Sequence, residues 1–281
     1  MTPLLFLILM YVVSVGAGLL GSLLGLGGGI IVVPALTLLF GVDIRLAIAA
    51  SIVSVIATSC GGAARYIRQG LANMRLGMLL EVTTVSGALA GAYLGGLLSP
   101  RALYLVFGAV LGAVAVRMLV AGGDGTPPRV VPDALSKRLK LGGAYRDAAT
   151  GTDVVYDVGR TGVGLGVSGL AGVMSGLLGI GGGAVKVPMM NLAMGVPMKA
   201  ATATSNMTIG ITAATSATLF FLRGDLHPFV AAPVAAGVLT GATLGAHLLP
   251  KLKGGAVKVI FVVVLLYVAG QMLYRGWGGA S

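Results

Sequence analysis

One pattern occurs twice in this chain at a fixed offset of 154 residues. Gly25-Leu26-Gly27-Gly28-Gly29 is followed by Pro34 and then by Gly41-Val42, and Gly179-Ile180-Gly181-Gly182-Gly183 by Pro188 and then by Gly195-Val196. Each glycine cluster interrupts a long apolar stretch at the matching place in its half. The same offset carries Gly70 onto Gly224, Gly87 onto Gly241, Gly91 onto Gly245, Phe107 onto Phe261 and Met118-Leu119 onto Met272-Leu273. A register held over a unit this long indicates an internal duplication. Paired glycine and proline interruptions in two hydrophobic halves point to a transport site.

The surroundings of the motif fix the solvent. Only 10% of the 281 residues are charged and 57% are hydrophobic, far from the composition of a soluble domain. Long apolar runs with few charges read as transmembrane helices, so the expected fold class is an all-α integral membrane protein. The 19 Lys+Arg against 8 Asp+Glu lie mostly in loops and at helix ends, where they set membrane orientation, and nucleic-acid binding is not expected. The single cysteine, Cys60, excludes an intramolecular disulfide and argues against a zinc cluster. Met1–Leu24 lacks a basic leader and a cleavage site, and reads as a retained first helix.

Apolar segments run over 3–24, 28–40, 44–66, 75–98 and 101–121, and again over 161–178, 184–195, 197–222, 228–249 and 256–275. The expected division is a first transmembrane repeat (1–121), a polar cytoplasmic linker (122–160) and a second repeat (161–281). The linker holds Pro127-Pro128, Pro132, five aspartates and the basic cluster Lys137-Arg138-Lys140. An odd number of crossings per half makes the repeats inverted. With the basic linker in the cytoplasm, Arg65, Arg68, Arg75, Lys199 and the group Lys251, Lys253 and Lys258 also fall inside. Asp43, Arg45, Arg101, Arg223 and Asp225 fall outside. The second segment of each half reaches only about 20 Å at the helical rise, short of a hydrocarbon core of about 30 Å. Such broken or re-entrant helices are tolerated only inside protein or along an aqueous cavity.

Several residue sets carry the expected chemistry. Gly27, Gly28 and Gly29, with Gly181, Gly182 and Gly183, allow close approach to the main chain. A half-helix starting after them presents unpaired N–H groups to an anion. Pro34 and Pro188 leave open a later start, with proline as the first helical residue. No Gly-Lys-Ser/Thr follows the clusters, so they are not nucleotide loops. Gly87, Gly91, Gly241 and Gly245 read instead as helix-packing positions. Ser51, Ser54 and Thr58 form a hydroxyl stripe matched by Ser205, Thr208 and Thr212, with Thr215 extending it; such hydroxyls either solvate an oxyanion or bond back to the helix. Asn206, opposite Ile52 in the first half, adds an amide. Lys186, opposite Val32, is an ionisable residue inside a span and hence a candidate fixed charge for an anion; snorkelling to an interface is its alternative. Glu81 is a candidate proton carrier or partner of Lys186, with an ordinary interfacial carboxylate as its alternative. Gly166-Val167-Ser168-Gly169 matches a serine-protease pattern weakly, with His247 as the sole in-membrane base.

These elements together resemble the sulfite exporter TauE/SafE family, also called the toluene sulfonate uptake permease family. The resemblance lies in Gly-x-Gly-Gly-Gly-x4-Pro in both halves, Ala203-Thr204-Ser205-Asn206 with Ala50-Ser51, and Gly224-Asp225-Leu226-His227-Pro228 before the Gly237, Gly241, Gly245 helix. It implies a multi-pass carrier in the bacterial inner membrane for sulfur-containing oxyanions such as sulfite, sulfonates or sulfoacetate, without a cofactor or metal. The expected partners are a small anion and the lipid bilayer, and a homo-oligomer is compatible. The alternatives are a carrier of another anion, such as a carboxylate, and, remotely, an intramembrane enzyme.

Overall fold

The computed structural model describes residues 3–120, 128–252 and 254–278. Asp124, Pro127 and Lys253, singled out above, lie outside the described residues. Eleven α-helices are described: α1 Pro3–Leu24, α2 Gly29–Leu39, α3 Ile44–Arg68, α4 Met74–Gly95, α5 Pro100–Val120, α6 Ala134–Leu139, α7 Thr161–Leu178, α8 Gly183–Leu192, α9 Met198–Leu222, α10 Pro228–Leu248 and α11 Gly254–Trp277. Two strands, β1 Gly143–Arg146 and β2 Asp153–Tyr156, form an antiparallel hairpin between α6 and α7. Seven helices (α1, α3, α4, α5, α7, α10 and α11) are long and apolar enough to cross a membrane. At 25 residues α9 is also long enough, but it carries a buried run of Thr, Ser and Asn and is not among the seven.

Local chemistry sets the helix ends; the side-chain caps of α3 and α4 stand in the first half alone, since Pro197 and His227 make none at α9 and α10. Asp43 caps α3 by accepting from the Arg45 N–H at 2.8 Å, and Asn73 caps α4 by accepting from the Leu76 N–H at 3.0 Å. These caps satisfy helix-end donors that have no intrahelical acceptor. The C-termini of α3 and α9 close alike. Leu71 N–H donates to Tyr66 O and Asp225 N–H to Phe220 O, around Gly70 at φ 67° and Gly224 at φ 77°. This is the left-handed glycine terminator.

Packing also repeats under the offset. α1 lies on α10 and α7 on α4; α3 packs on α10 and α9 on α4; α3 meets α9 and α5 meets α11. The contacts match nearly atom for atom. A Cβ on Gly18 would strike Val238 O, and one on its counterpart Gly172 would strike Thr84 O, the counterpart of Val238. Gly241 lies against Val15 O, Gly87 against Gly169 O, Gly245 against Leu19 O and Gly91 against Val173 O. These glycines let backbones touch, as small residues do between membrane helices. The homologous helices α5 and α11 run antiparallel where they pack: Gly108 faces Ala269 and Leu273, and Gly276 faces Leu105.

The segment between the halves, polar by composition, is folded over 128–160. Leu141, Tyr145, Tyr156 and Val158 are buried. Asn73 Nδ2 donates to Leu141 O at 2.7 Å and to Tyr156 Oη at 3.2 Å, and Asp133 accepts from the N–H and hydroxyl of Thr161, both at 2.7 Å. Arg75 reaches Lys140 O, and Lys199 reaches Asp147. One end of the molecule thus gathers the linker with Arg75 and Lys199. At another group of loops Arg45 binds Leu98 O, Arg101 binds Gly276 O and Arg223 binds Ala92 O.

Candidate transport site

The glycine clusters shape two equivalent starts of two short helices. Gly28 and Gly182 are the N-caps of α2 and α8, both at φ 72°, a conformation that suits glycine. The helices begin at the next residue, Gly29 or Gly183. Pro34 and Pro188 sit in the sixth helical position, so the proline does not open the helix. With 11 and 10 residues, the two helices rise only about 15–17 Å. Among the described residues, the N–H groups of Gly27–Ile30 and of Gly181–Ala184 donate no hydrogen bond. Such buried donors at a helix start have no intrahelical acceptor and are of the kind that an anion can satisfy.

The two starts lie against each other. A Cβ on Gly29 would meet Gly179 O, and one on Gly183 would meet Gly25 O. Gly27 and Gly181 both abut Val55 and Ile209, themselves equivalent under the offset. The serines tie this contact reciprocally. Ser51 Oγ donates to Gly179 O at 2.8 Å and Ser205 Oγ to Gly25 O at 2.7 Å. Both are fully buried. Each half therefore braces the other half's glycine turn with the same hydroxyl.

The remaining hydroxyls divide. Ser54 donates to Ser51 O at 2.6 Å, and Thr58 to Gly27 O and Ser54 O, both at 3.0 Å. Thr208 repeats the Ser54 bond by donating to Ser205 O at 3.2 Å, but it and Thr212 also enter a charged cluster. Lys186 Nζ lies 2.7 Å from Glu81 Oε2 and 2.9 Å from Thr208 Oγ1, and Thr212 Oγ1 donates to Glu81 Oε1. Lys186 is 1% exposed and Glu81 3%, so the lysine does not snorkel. Its cation belongs to α8 and its carboxylate to α4, which places the pair across the two halves. The counterparts Val32 and Ala235 carry no charge, so this cluster breaks the pseudo-symmetry. Thr215 stands apart and bonds back to Ile211 O.

Asn206 joins a different group. Its Nδ2 donates to Ser22 O, where the Tyr66 hydroxyl also donates at 3.1 Å, and its Oδ1 is buried without a partner. Of the residues expected in the site, the six glycines, Ser51 and Ser205 come together, Lys186 and Glu81 pair beside them through α9, and Asn206 turns toward α1. Ser22 and Tyr66 escaped the sequence reading because neither is repeated: their counterparts are Gly176 and Phe220. The protease pattern does not assemble. Ser168 Oγ has no partner, while His247 Nε2 accepts from Arg65 Nη1 at 2.7 Å, leaving Nδ1–H for Thr243 O.

A family model described as sulfite exporter TauE/SafE matches residues 10–272. The chain belongs to this family. It is 27% identical over 276 residues to the probable membrane transporter protein YunE of Bacillus subtilis (strain 168), covering 96% of this chain and 98% of that one. A probable membrane transporter protein of Xylella fastidiosa (strain 9a5c) is 27% identical, covering 95% of this chain and 96% of its own length. The probable membrane transporter protein MamO of Paramagnetospirillum magneticum (strain ATCC 700264 / AMB-1) is 22% identical over 92% of this chain and 43% of its own. No solved structure matches. Together with the seven long apolar helices, these relatives make the chain a multi-pass membrane protein of a transporter family.

Proposed function

We propose that this chain carries sulfur-containing oxyanions, of the sulfite and sulfonate class, across the bacterial inner membrane by alternating access. Residues 1–121 and 161–281 act as two inverted repeats, joined by 122–160 on the cytoplasmic side. The antiparallel contact of the homologous α5 and α11 supports inversion, because repeats related by an axis along the membrane normal would pack homologous helices parallel. The gathering of Arg75 and Lys199 at the basic linker supports the sidedness.

The observation that carries the reading is the buried Lys186–Glu81 pair, shared between the halves, with its lysine on the short helix that the second glycine turn opens. A lysine bonded to a carboxylate is neutralised. Protonation of Glu81 would release the Lys186 ammonium, with Thr208, to an incoming anion. Proton and anion then share one site, and the pair re-forms when both leave. An inside-negative potential assists anion exit by about 2.3 kcal/mol per charge per 100 mV, so export can run uncoupled while import draws on the proton. In proteoliposomes, Glu81→Gln is expected to abolish sulfite uptake driven by a pH gradient while sparing sulfite exchange. Persistent pH-driven uptake removes Glu81 from coupling. Glu81 also shows that the lysine accepts a carboxylate, which favours a carboxylate carrier as the second reading.

A further inference from the structure

We propose that the cavity between Arg45 and Arg223, at the outer ends of α3 and α9, is a second binding site for a small oxyanion, the seat through which it enters or leaves the core. The inference rests on the anion-carrier reading. The cavity has a volume of about 290 Å³, and its lining includes Arg45, Ile48, Tyr93, Leu177, Arg223 and Asp225. Both guanidinium groups are anchored by backbone. Arg45 Nη2 donates to Leu98 O at 3.0 Å; Arg223 Nη1 donates to Ala92 O at 2.7 Å and Nη2 to Tyr93 O at 3.3 Å. The Arg223 guanidinium also stands 5.9 Å from the Phe220 ring centroid. These tethers fix the two forks and leave most of their five donors apiece to a ligand. Among the described residues, neither arginine is ion-paired. With Asp225 as the one acid in the lining, the cavity keeps a net positive charge. Arginine at an outer mouth runs against the usual inward bias of basic residues, and two fixed forks suit an oxyanion.

The floor leads inward. Ile48 O accepts from Ser51 Oγ at 2.9 Å, and the same hydroxyl donates to Gly179 O of the second glycine turn. Leu177, also in the lining, lies two residues before that turn.

The duplication supplies an independent observation. The offset of 154 carries Arg45 onto Lys199 and Gly96 onto Pro250. At that opposite end Lys199 Nζ touches Pro250 O at 3.3 Å and Asp147 Oδ1 at 2.6 Å. The Asp147 carboxylate comes from the linker, just after β1. At the inner end, the equivalent cation already holds an oxyanion of the chain's own. The geometry of one half thus marks the seat, and the linker fills it only on the inner side.

Arginine-selective labelling by phenylglyoxal tests this on the full chain in lipid nanodiscs, read by peptide mass spectrometry. At matched ionic strength, methanesulfonate, which unlike sulfite does not add to the aldehyde of the reagent, is expected to protect Arg45 and Arg223 about tenfold relative to chloride, while Arg101 labels equally in both. In proteoliposomes, the Arg45→Gln/Arg223→Gln variant is expected to raise the KM for external sulfite about tenfold, with maximal flux within twofold. Equal labelling with methanesulfonate and chloride overturns the site, as does an unchanged KM. If methanesulfonate protects both arginines but wild-type protein moves no oxyanion, the site stands and the carrier reading falls.

Discussion

Lys186 and Glu81 make a quantitative prediction about stability. Their charged atoms are 2.7 Å apart and almost fully buried. At an effective dielectric of about 20 the attraction is about 6 kcal/mol, set against several kcal/mol to desolvate each ion. The pair therefore roughly breaks even as a unit, whereas losing one partner strands the other. In Lys186→Met, Glu81 keeps only Thr212; in Glu81→Gln, Lys186 keeps Thr208 and at most a neutral amide oxygen in place of its counter-charge. Each single variant is expected to lose about 3–5 kcal/mol. The double variant Glu81→Gln/Lys186→Met removes both charges at nearly constant volume. It should lose less than the sum of the singles, with a coupling of about 2 kcal/mol or more. Thermal unfolding of the purified protein at pH 7.5, over the four members of the cycle, measures this. Additivity within about 0.5 kcal/mol would refute the pair and, with it, the shared proton and anion site.

Further outcomes follow from the same geometry. Gly183→Ala and Gly29→Ala place a methyl on the facing carbonyls of Gly25 and Gly179, so both should lower folded yield or flux severely, by about tenfold or more for each 1.4 kcal/mol lost in the transport-competent state; wild-type flux in either would show that the turns do not touch. Ser51→Ala and Ser205→Ala each leave a buried carbonyl short of a donor, at a cost of about 1–3 kcal/mol; thermal shifts that differ widely between the two would deny their equivalence. Burial alone would raise the Asp147 carboxyl, but the Lys199 hydrogen bond, the Ala149 N–H and the Lys199 charge outweigh it and hold the group below the usual carboxylate range. A depressed folded value stabilises the docked hairpin above the unfolded value of about 3.9. That stability is lost as pH falls through the folded value. Hydrogen exchange over 143–156 should therefore stay constant from pH 8 to 5 once the intrinsic rate is corrected for, and release near pH 6 would assign the clamp to another group.

Much of the helical frame was legible from apolar run lengths, because helices in lipid must satisfy their own backbone. The runs 3–24 and 161–178 coincide with α1 and α7, and the offset of 154 maps the starts of α2–α5 onto those of α8–α11. The glycine turns were legible because duplication wrote them twice. What stood once was harder to read. Asp147 lies in a linker with no periodic pattern, so nothing in its spacing places it beside Lys199. The Ser22–Tyr66–Asn206 group joins α1, α3 and α9 across 44 and 184 residues of sequence separation. The hydroxyl stripe was visible at i, i+3, i+7, but not the division of labour within it. Ser51 and Ser205 brace carbonyls, while Thr208 and Thr212 solvate a charge pair that exists in only one half.

The most direct test of the account is flux through the purified protein in proteoliposomes, offered sulfite, a panel of sulfonates, a panel of carboxylates and neutral solutes of similar size. Saturable movement of sulfite or a sulfonate, chemically unchanged, that competing oxyanions inhibit and Lys186→Met abolishes is the expected result. Transport of neutral solutes alone, or oxyanion flux untouched by Lys186→Met, would contradict it.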